Sequence, residues 1–165
     1  MEKINEEARK QIREFFRQLN MLFIVFIAGI VLFLITGYIV VEFQKPLNPE
    51  YDTFLIFGAP ACGVALILLG YRLFLGRLKN ARTAGKLFEK MEGYRSAMVL
   101  RLILLDGAAF VQVIAFIMTG ERMYLFLCLG VVTVFMLVKP GVERFVKEME
   151  LGEVEAKVMR DHFYK

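Results

Sequence analysis

Tryptophan is absent from the 165 residues, and histidine occurs once, as His162 near the end of the chain. Haem or zinc held by imidazole within an apolar stretch is thereby excluded. An interfacial aromatic belt, if there is one, falls to Tyr and Phe. The two cysteines, Cys62 and Cys128, sit in separate apolar stretches without the paired spacing of a zinc or redox motif. Each reads as a small buried hydrophobe. A phosphate-binding glycine loop, a His/Asp/Glu metal cluster and a recognisable nucleophile–base pairing are also missing. These gaps argue against an enzyme of the soluble type, and no metal or cofactor is expected. His162 is assigned no role.

What is abundant is apolar. Hydrophobic residues make up 58% of the chain, and they gather into four blocks. The first, residues 21–41, carries no charge. Twenty-one helical residues rise about 30 Å, the thickness of the hydrocarbon core of a bilayer. It is too long for the core of a signal peptide, and no small-residue cleavage pattern follows. The second, residues 53–75, contains Pro60, which removes a backbone donor and favours a kink, and Arg72 near its end. The third, residues 98–119, holds Arg101, Asp106 and Gln112. Residues 123–138 form the fourth and shortest, closed by Lys139–Pro140.

The basic residues order these blocks. Nineteen of the twenty-one Lys and Arg fall before the first block, between the second and third, or after the fourth, counting Arg72, Arg101 and Lys139 at the block ends. The other two, Lys45 and Arg122, lie in the remaining connections. By the positive-inside rule this predicts four crossings with both termini and the middle segment in the cytoplasm. The net charge of +4 is then a consequence of topology and does not point to nucleic acid. The outer loop with Pro46, Asn48 and Pro49 is too small to be a binding domain. Gly120–Glu121–Arg122 is short enough to force an antiparallel hairpin.

The polar segments read as helical. Ile4, Ala8, Ile12, Phe15 and Leu19 recur at spacings of three and four, one face of an amphipathic helix over residues 1–20. An interfacial helix, a straight extension of the first span and an oligomer contact all fit. Five basic against four acidic residues argue against a purely electrostatic hold on lipid. The middle loop, residues 77–97, is expected to form short pieces broken at Gly85 and Gly93. In the tail, residues 140–165, Val142, Phe145, Val146 and Met149 mark one helix, and Val154, Val158 and Met159 a second.

Asp106 is the main candidate for function. It lies about 10–12 Å from the inner end of its span, where insertion scales put a central Asp at about 2.5–3.5 kcal/mol. Arg101, five residues back, is about 140° away around the helix and does not share its face. A partner must come from another helix, and Arg72, Lys139 and the neutral Tyr71 end spans on the same side. Gly29, Gly63, Ala65 and Gly107–Ala108–Ala109 suggest close helix packing near that depth. Ala59 and Gly63 form a small-x-x-x-small pair, read as internal packing.

The stretch Arg101-x-x-Leu104-Leu105-Asp106-Gly107-Ala108-Ala109, with a basic–Pro end to the last span, resembles a family of small uncharacterised four-span bacterial inner-membrane proteins. The resemblance covers most of the chain and implies no activity. An acid among small residues within a span is also faintly similar to the proton-carrying helix of rotary ATPase ring subunits, although the dense glycine-rich partner helix of those proteins is missing here. The fold expected is all-α: an integral-membrane antiparallel four-helix bundle over residues 21–139, with amphipathic cytoplasmic helices. The function expected is that of a non-enzymatic accessory or interaction bundle. Its partners would be the lipid bilayer and either a second copy or another membrane protein. The alternatives are a proton- or ion-coupled transport element using Asp106 and, third, an enzyme acting on lipid at the inner interface.

Overall fold

A computed structural model describes residues 2–44 and 52–164. Lys45, Pro46, Asn48 and Pro49 lie outside the described residues, as do the side chains of Ile4, Ala8 and His162. Six helices account for the described regular structure: α1 (Glu2–Gln44), α2 (Asp52–Arg82), α3 (Leu87–Thr119), α4 (Met123–Leu137), α5 (Val142–Glu148) and α6 (Glu153–Tyr164). Three of them, α1, α2 and α3, are long and apolar enough to cross a membrane.

The fourth apolar block behaves differently. Only 15 of its residues are helical, a rise of about 22 Å against the roughly 30 Å of a hydrocarbon core. Pro140 has no N–H to continue the helix, and α5 leaves at 83° to α4. A fourth crossing is reached only if this bent pair counts as one span.

α3 is the central helix and packs on α1, α2 and α4. Half of its most apolar stretch is buried, against 17% for α2 and 11% for α1. The other two helices therefore turn most of their apolar surface outward. α2 and α3 run antiparallel in a register set by small residues. Gly63 lies against Gln112, Gly70 against Leu104 and Gly93 against Ala81. Van der Waals contact at such sites is what holds helices together in lipid. Ala59 and Gly63 are both buried, so the small-x-x-x-small pair faces α3 within the chain. Gly29 and Ala65, expected in the packing, are instead exposed.

The connection between α3 and α4 is as tight as its three residues demand. Gly120 caps α3 in the left-handed region at φ 75°, open to a residue without Cβ. Its N–H donates to the Phe116 carbonyl. Thr119 Oγ1 accepts from the Glu121 N–H and donates to the Ala115 carbonyl.

Among the polar segments, one of the open alternatives for the N-terminal stretch is realised and the reading of the middle loop changes. Residues 2–44 are one unbroken helix, so the amphipathic stretch is a straight extension of the first apolar block. Its buried stripe is Ile12, Phe16 and Leu19, with Phe16 taking the place expected of Phe15. The Phe16 ring meets Phe145 at 5.9 Å and Phe163 at 5.5 Å. This stripe is thus covered by α5 and α6. The middle loop shrinks to residues 83–86, because α2 continues to Arg82 and α3 begins at Leu87. Gly85 lies in that connection, but Gly93 is inside α3. It does not break the helix there: its missing Cβ makes room for the Ala81 Cβ, which a side chain would approach to 2.6 Å.

Candidate functional site

Asp106 sits in the middle part of α3. Helix geometry puts it one turn before Phe110, on the flank of α3 that faces α1. That flank is identified by the Phe110–Phe33 ring contact at 4.5 Å and by Val113 and Ile117 against Gly37. Asp106 is half-buried, and its Oδ1 is buried with no hydrogen-bond partner. The expected contacts to Arg72, Lys139 or Tyr71 do not form. The reason lies in the geometry: Tyr71 and Arg72 are on α2 and Lys139 lies just past α4, whereas Asp106 looks toward α1. There the nearby block offers only Thr36, which bonds back to the Leu32 carbonyl, and the exposed Tyr38.

Each of the other three candidates is placed elsewhere. Tyr71 lies under the Arg101 guanidinium, 5.9 Å from ring centroid to Cζ. Arg72 is exposed on α2. Lys139 is exposed just past α4, at one end of a groove between α1 and α4. Asp106, Arg72, Lys139 and Tyr71 therefore do not assemble into one site.

A charged cluster forms instead around Glu148, the last residue of α5. Tyr94 donates its hydroxyl proton to Glu148 Oε2 at 2.8 Å. Arg144 Nε donates to Oε1 at 2.9 Å, and Arg101 Nη1 stands 3.9 Å from the same oxygen. Arg101 also lies over the Phe74 ring at 4.8 Å, a cation–π placement favoured where the cation is partly desolvated. Its side chain is only 12% exposed and that of Glu148 19%. The Glu148 backbone carbonyl accepts from Arg82 Nε at 2.9 Å and Nη2 at 2.5 Å. Arg82 is thus a cap on the C-terminal carbonyls of α5, where a cation suits the helix dipole.

The same arginine pairs with Glu150 at 2.7 Å. Glu150 is the only described non-glycine residue at positive φ, 51°. The ion pair ties this turn to the end of α2. Lys90 pairs with Glu155 at 2.8 Å and Arg160 with Glu143 at 2.7 Å. The Arg160 hydrogen bond, then its charge, holds the exposed Glu143 carboxyl below the usual carboxylate range. Tyr94–Glu148, Arg101–Glu148, Arg82–Glu148, Lys90–Glu155 and Arg160–Glu143 each join α5 or α6 to another helix or to each other. Chemically the arrangement is a clamp, with its acidic groups already occupied by cations.

A second buried polar contact lies deeper. Gln112 Nε2 donates to the Ala59 carbonyl at 2.9 Å, between α3 and α2. Gly63 permits it: a Cβ there would stand 2.6 Å from Nε2. Among the described residues no group of three His, Cys, Asp or Glu is placed to hold a metal ion.

Sequence reasoning did not find the Glu148 cluster. Arg101 was visible as a charge inside an apolar block, but its partner is 47 positions later, beyond a proline turn. The available signal was the mutual need of Arg101 and a carboxylate, with several acids in the tail to choose from. The chain matches no protein-family model, no curated protein and no solved structure.

Proposed function

We propose that this chain is a four-span protein of a bacterial inner membrane, with both termini in the cytoplasm. It works without catalysis, as an accessory or interaction bundle. The observation that carries the reading is the Glu148 clamp. The clustered charged side chains converge on docking α5 and α6, with their carboxylates held by cations. In this topology α4 is the fourth crossing. Its short length is accommodated by local thinning of the bilayer and by Lys139 reaching to the headgroups. Nineteen of the twenty-one Lys and Arg then share one side. The partners are the lipid bilayer and either a second copy or another membrane protein; nucleic acid is not among them.

Reporter fusions test the topology. Activity is expected in the cytoplasm at residue 165 and outside near residue 48. An external C-terminus would overturn it. Co-purification from native membranes then tests the interaction role, where an enzyme would instead turn over an added lipid.

One observation favours a second reading, a proton- or ion-coupled element: Asp106 Oδ1 is buried without a hydrogen bond. An acid kept at that depth at a cost of a few kcal/mol is a functional signal by default. Flux into liposomes that Asp106→Asn abolishes, with thermal stability unchanged, would establish this reading against the first.

A further inference from the structure

α1 and α4 do not close on each other along their whole length. Between them runs a groove of about 630 Å³, lined by Asn20, Phe23, Ile24, Ile27, Ala28 and Val31 of α1 and by Met136 and Lys139 at the end of α4. Its polarity is ordered. Asn20 and Lys139 stand at the end toward α5, and the remaining lining is apolar. From Asn20 to Val31 the helix rises about 16 Å. One leaflet of hydrocarbon is about 15 Å deep. The groove therefore has the length of a single acyl chain, with a polar mouth where a headgroup would lie.

The mouth is basic. Positions 13, 17, 20, 24, 27, 28 and 31 share one face of α1 by their spacing of three and four. The face that lines the groove thus continues past its mouth as Arg17 and Arg13, both exposed. Arg17 makes only a loose contact with Glu14, at 3.6 Å with the arginine side chain 80% exposed. Lys139 and Arg13 have no ion pair among the described residues, in contrast to the arginines of the Glu148 clamp. Asn20 adds a polar group at the same level, with Oδ1 buried and lacking a hydrogen bond.

We propose that the groove between α1 and α4 binds one anionic glycerophospholipid. An acyl chain lies along Ile24, Ala28 and Val31, and the phosphate is held among Lys139, Arg17 and Arg13. Basic pockets at the membrane-facing junction of helices are suited to such headgroups. A second copy is the poorer occupant. A two-fold contact through this face would bring the same cations against one another. The proposal rests on the chain being a membrane protein, and the two fail separately. A chain released from membranes by alkaline carbonate fails both, whereas one that stays and binds lipids indifferently fails only this one.

The test uses the full chain in mild detergent, titrated with tail-labelled phosphatidylglycerol and with phosphatidylcholine of the same chains. Each surface cation near a phosphate is worth about fivefold. The wild type should prefer phosphatidylglycerol, and Arg17→Gln with Lys139→Gln should weaken its binding by about thirtyfold and that of the net-neutral phosphatidylcholine much less, so that the preference is lost. Both side chains are exposed, and helicity by circular dichroism confirms that the variant is folded. Ala28→Trp, which fills the groove from an exposed position, should weaken both lipids. Equal binding of the two lipids overturns the proposal. So does a preference that survives the double variant, undiminished binding to Ala28→Trp, or a wild-type dimer that Ala28→Trp converts to monomer.

Discussion

Removing the Glu148 carboxylate should loosen the C-terminal helices before anything else. Glu148→Ala deletes the acceptor for Tyr94 at 2.8 Å, the partner of Arg144 at 2.9 Å and the charge 3.9 Å from Arg101. Tyr94 is fully buried, so its hydroxyl is left unsatisfied at about 1–3 kcal/mol. Arg101 keeps the Phe74 ring but loses its counter-charge. Breaking a fully buried pair costs about 3–5 kcal/mol. The distance and the residual exposure of this pair bring its share down to about 1–2 kcal/mol. The terms share a network and do not simply add, so the expected loss is about 2–4 kcal/mol. For a chain of this size that is roughly 5–12 °C in melting temperature.

The loss should also be local. Glu148 ends α5, and its carbonyl is the seat of Arg82. Trypsin should therefore cut at Arg144, Lys147 and Lys157 faster in the variant, before the apolar helices melt. Glu148→Gln keeps an oxygen for Tyr94 and should lose less. Tyr94→Phe removes one hydrogen bond and should cost about 1 kcal/mol. In a double-mutant cycle with Glu148→Ala the Tyr94→Phe cost should disappear or turn into a gain, because the orphaned hydroxyl is then removed. A melting temperature within about 1 °C of wild type, with unchanged cleavage, would refute the assignment of Glu148 as the centre of the clamp.

Other consequences can be measured in the same assays. Gly63→Ala should lose the Gln112–Ala59 hydrogen bond and about 1–2 kcal/mol, and adding Gln112→Leu should make the alanine cheaper by removing the clashing amide. Gly93→Ala should cost about 1–3 kcal/mol by forcing Ala81 away. Gly76→Ala, with nothing within 4 Å of its new Cβ, should instead stabilise α2 by about 0.5–1 kcal/mol, and equal thermal shifts for the two would sink this account of the α2–α3 contact. Glu143 has a lowered folded pKa, so its bond to Arg160 contributes above the ordinary carboxylate range and is lost as pH falls through that lowered value. Glu143→Gln should therefore flatten the acid limb of α6 protection in hydrogen exchange; an identical limb in both proteins counts against the pair.

Much of the fold was legible because lipid leaves few choices. A run of twenty-one uncharged residues can only be helical in hydrocarbon, and α1 contains it whole. The three-residue turn at Gly120 dictated that α4 returns along α3. What stayed hidden was where helices end. Composition in residues 77–97 looks like a loop because it is charged, yet α2 and α3 extend through it. Their extensions have something to pack against, namely α5, α6 and the docked stripe of α1. Gly93 reads as a breaker on propensity, but its role is contact. The same glycine signal means a turn at Gly120 and close approach at Gly63, and only the neighbour across the interface tells them apart.

The candidate site separates along the same line. Arg101 and Asp106 are two charges five residues apart in one apolar block, and their physical problem looks identical in the sequence. Arg101 solves it with a carboxylate brought in by a helix beyond Pro140, which no local pattern reveals. Asp106 has no such solution within the described chain, and part of that was readable in advance. Residues 21–41 carry no charge, so a helix flank turned toward α1 can meet no counter-ion there. The missing fact was which flank of α3 faces α1. Once Phe110 on Phe33 supplies it, the two charges part company: one belongs to the architecture of the clamp. The other is left facing an apolar helix, which is why Asp106 and not Arg101 is the side chain whose replacement should be read by flux as well as by stability.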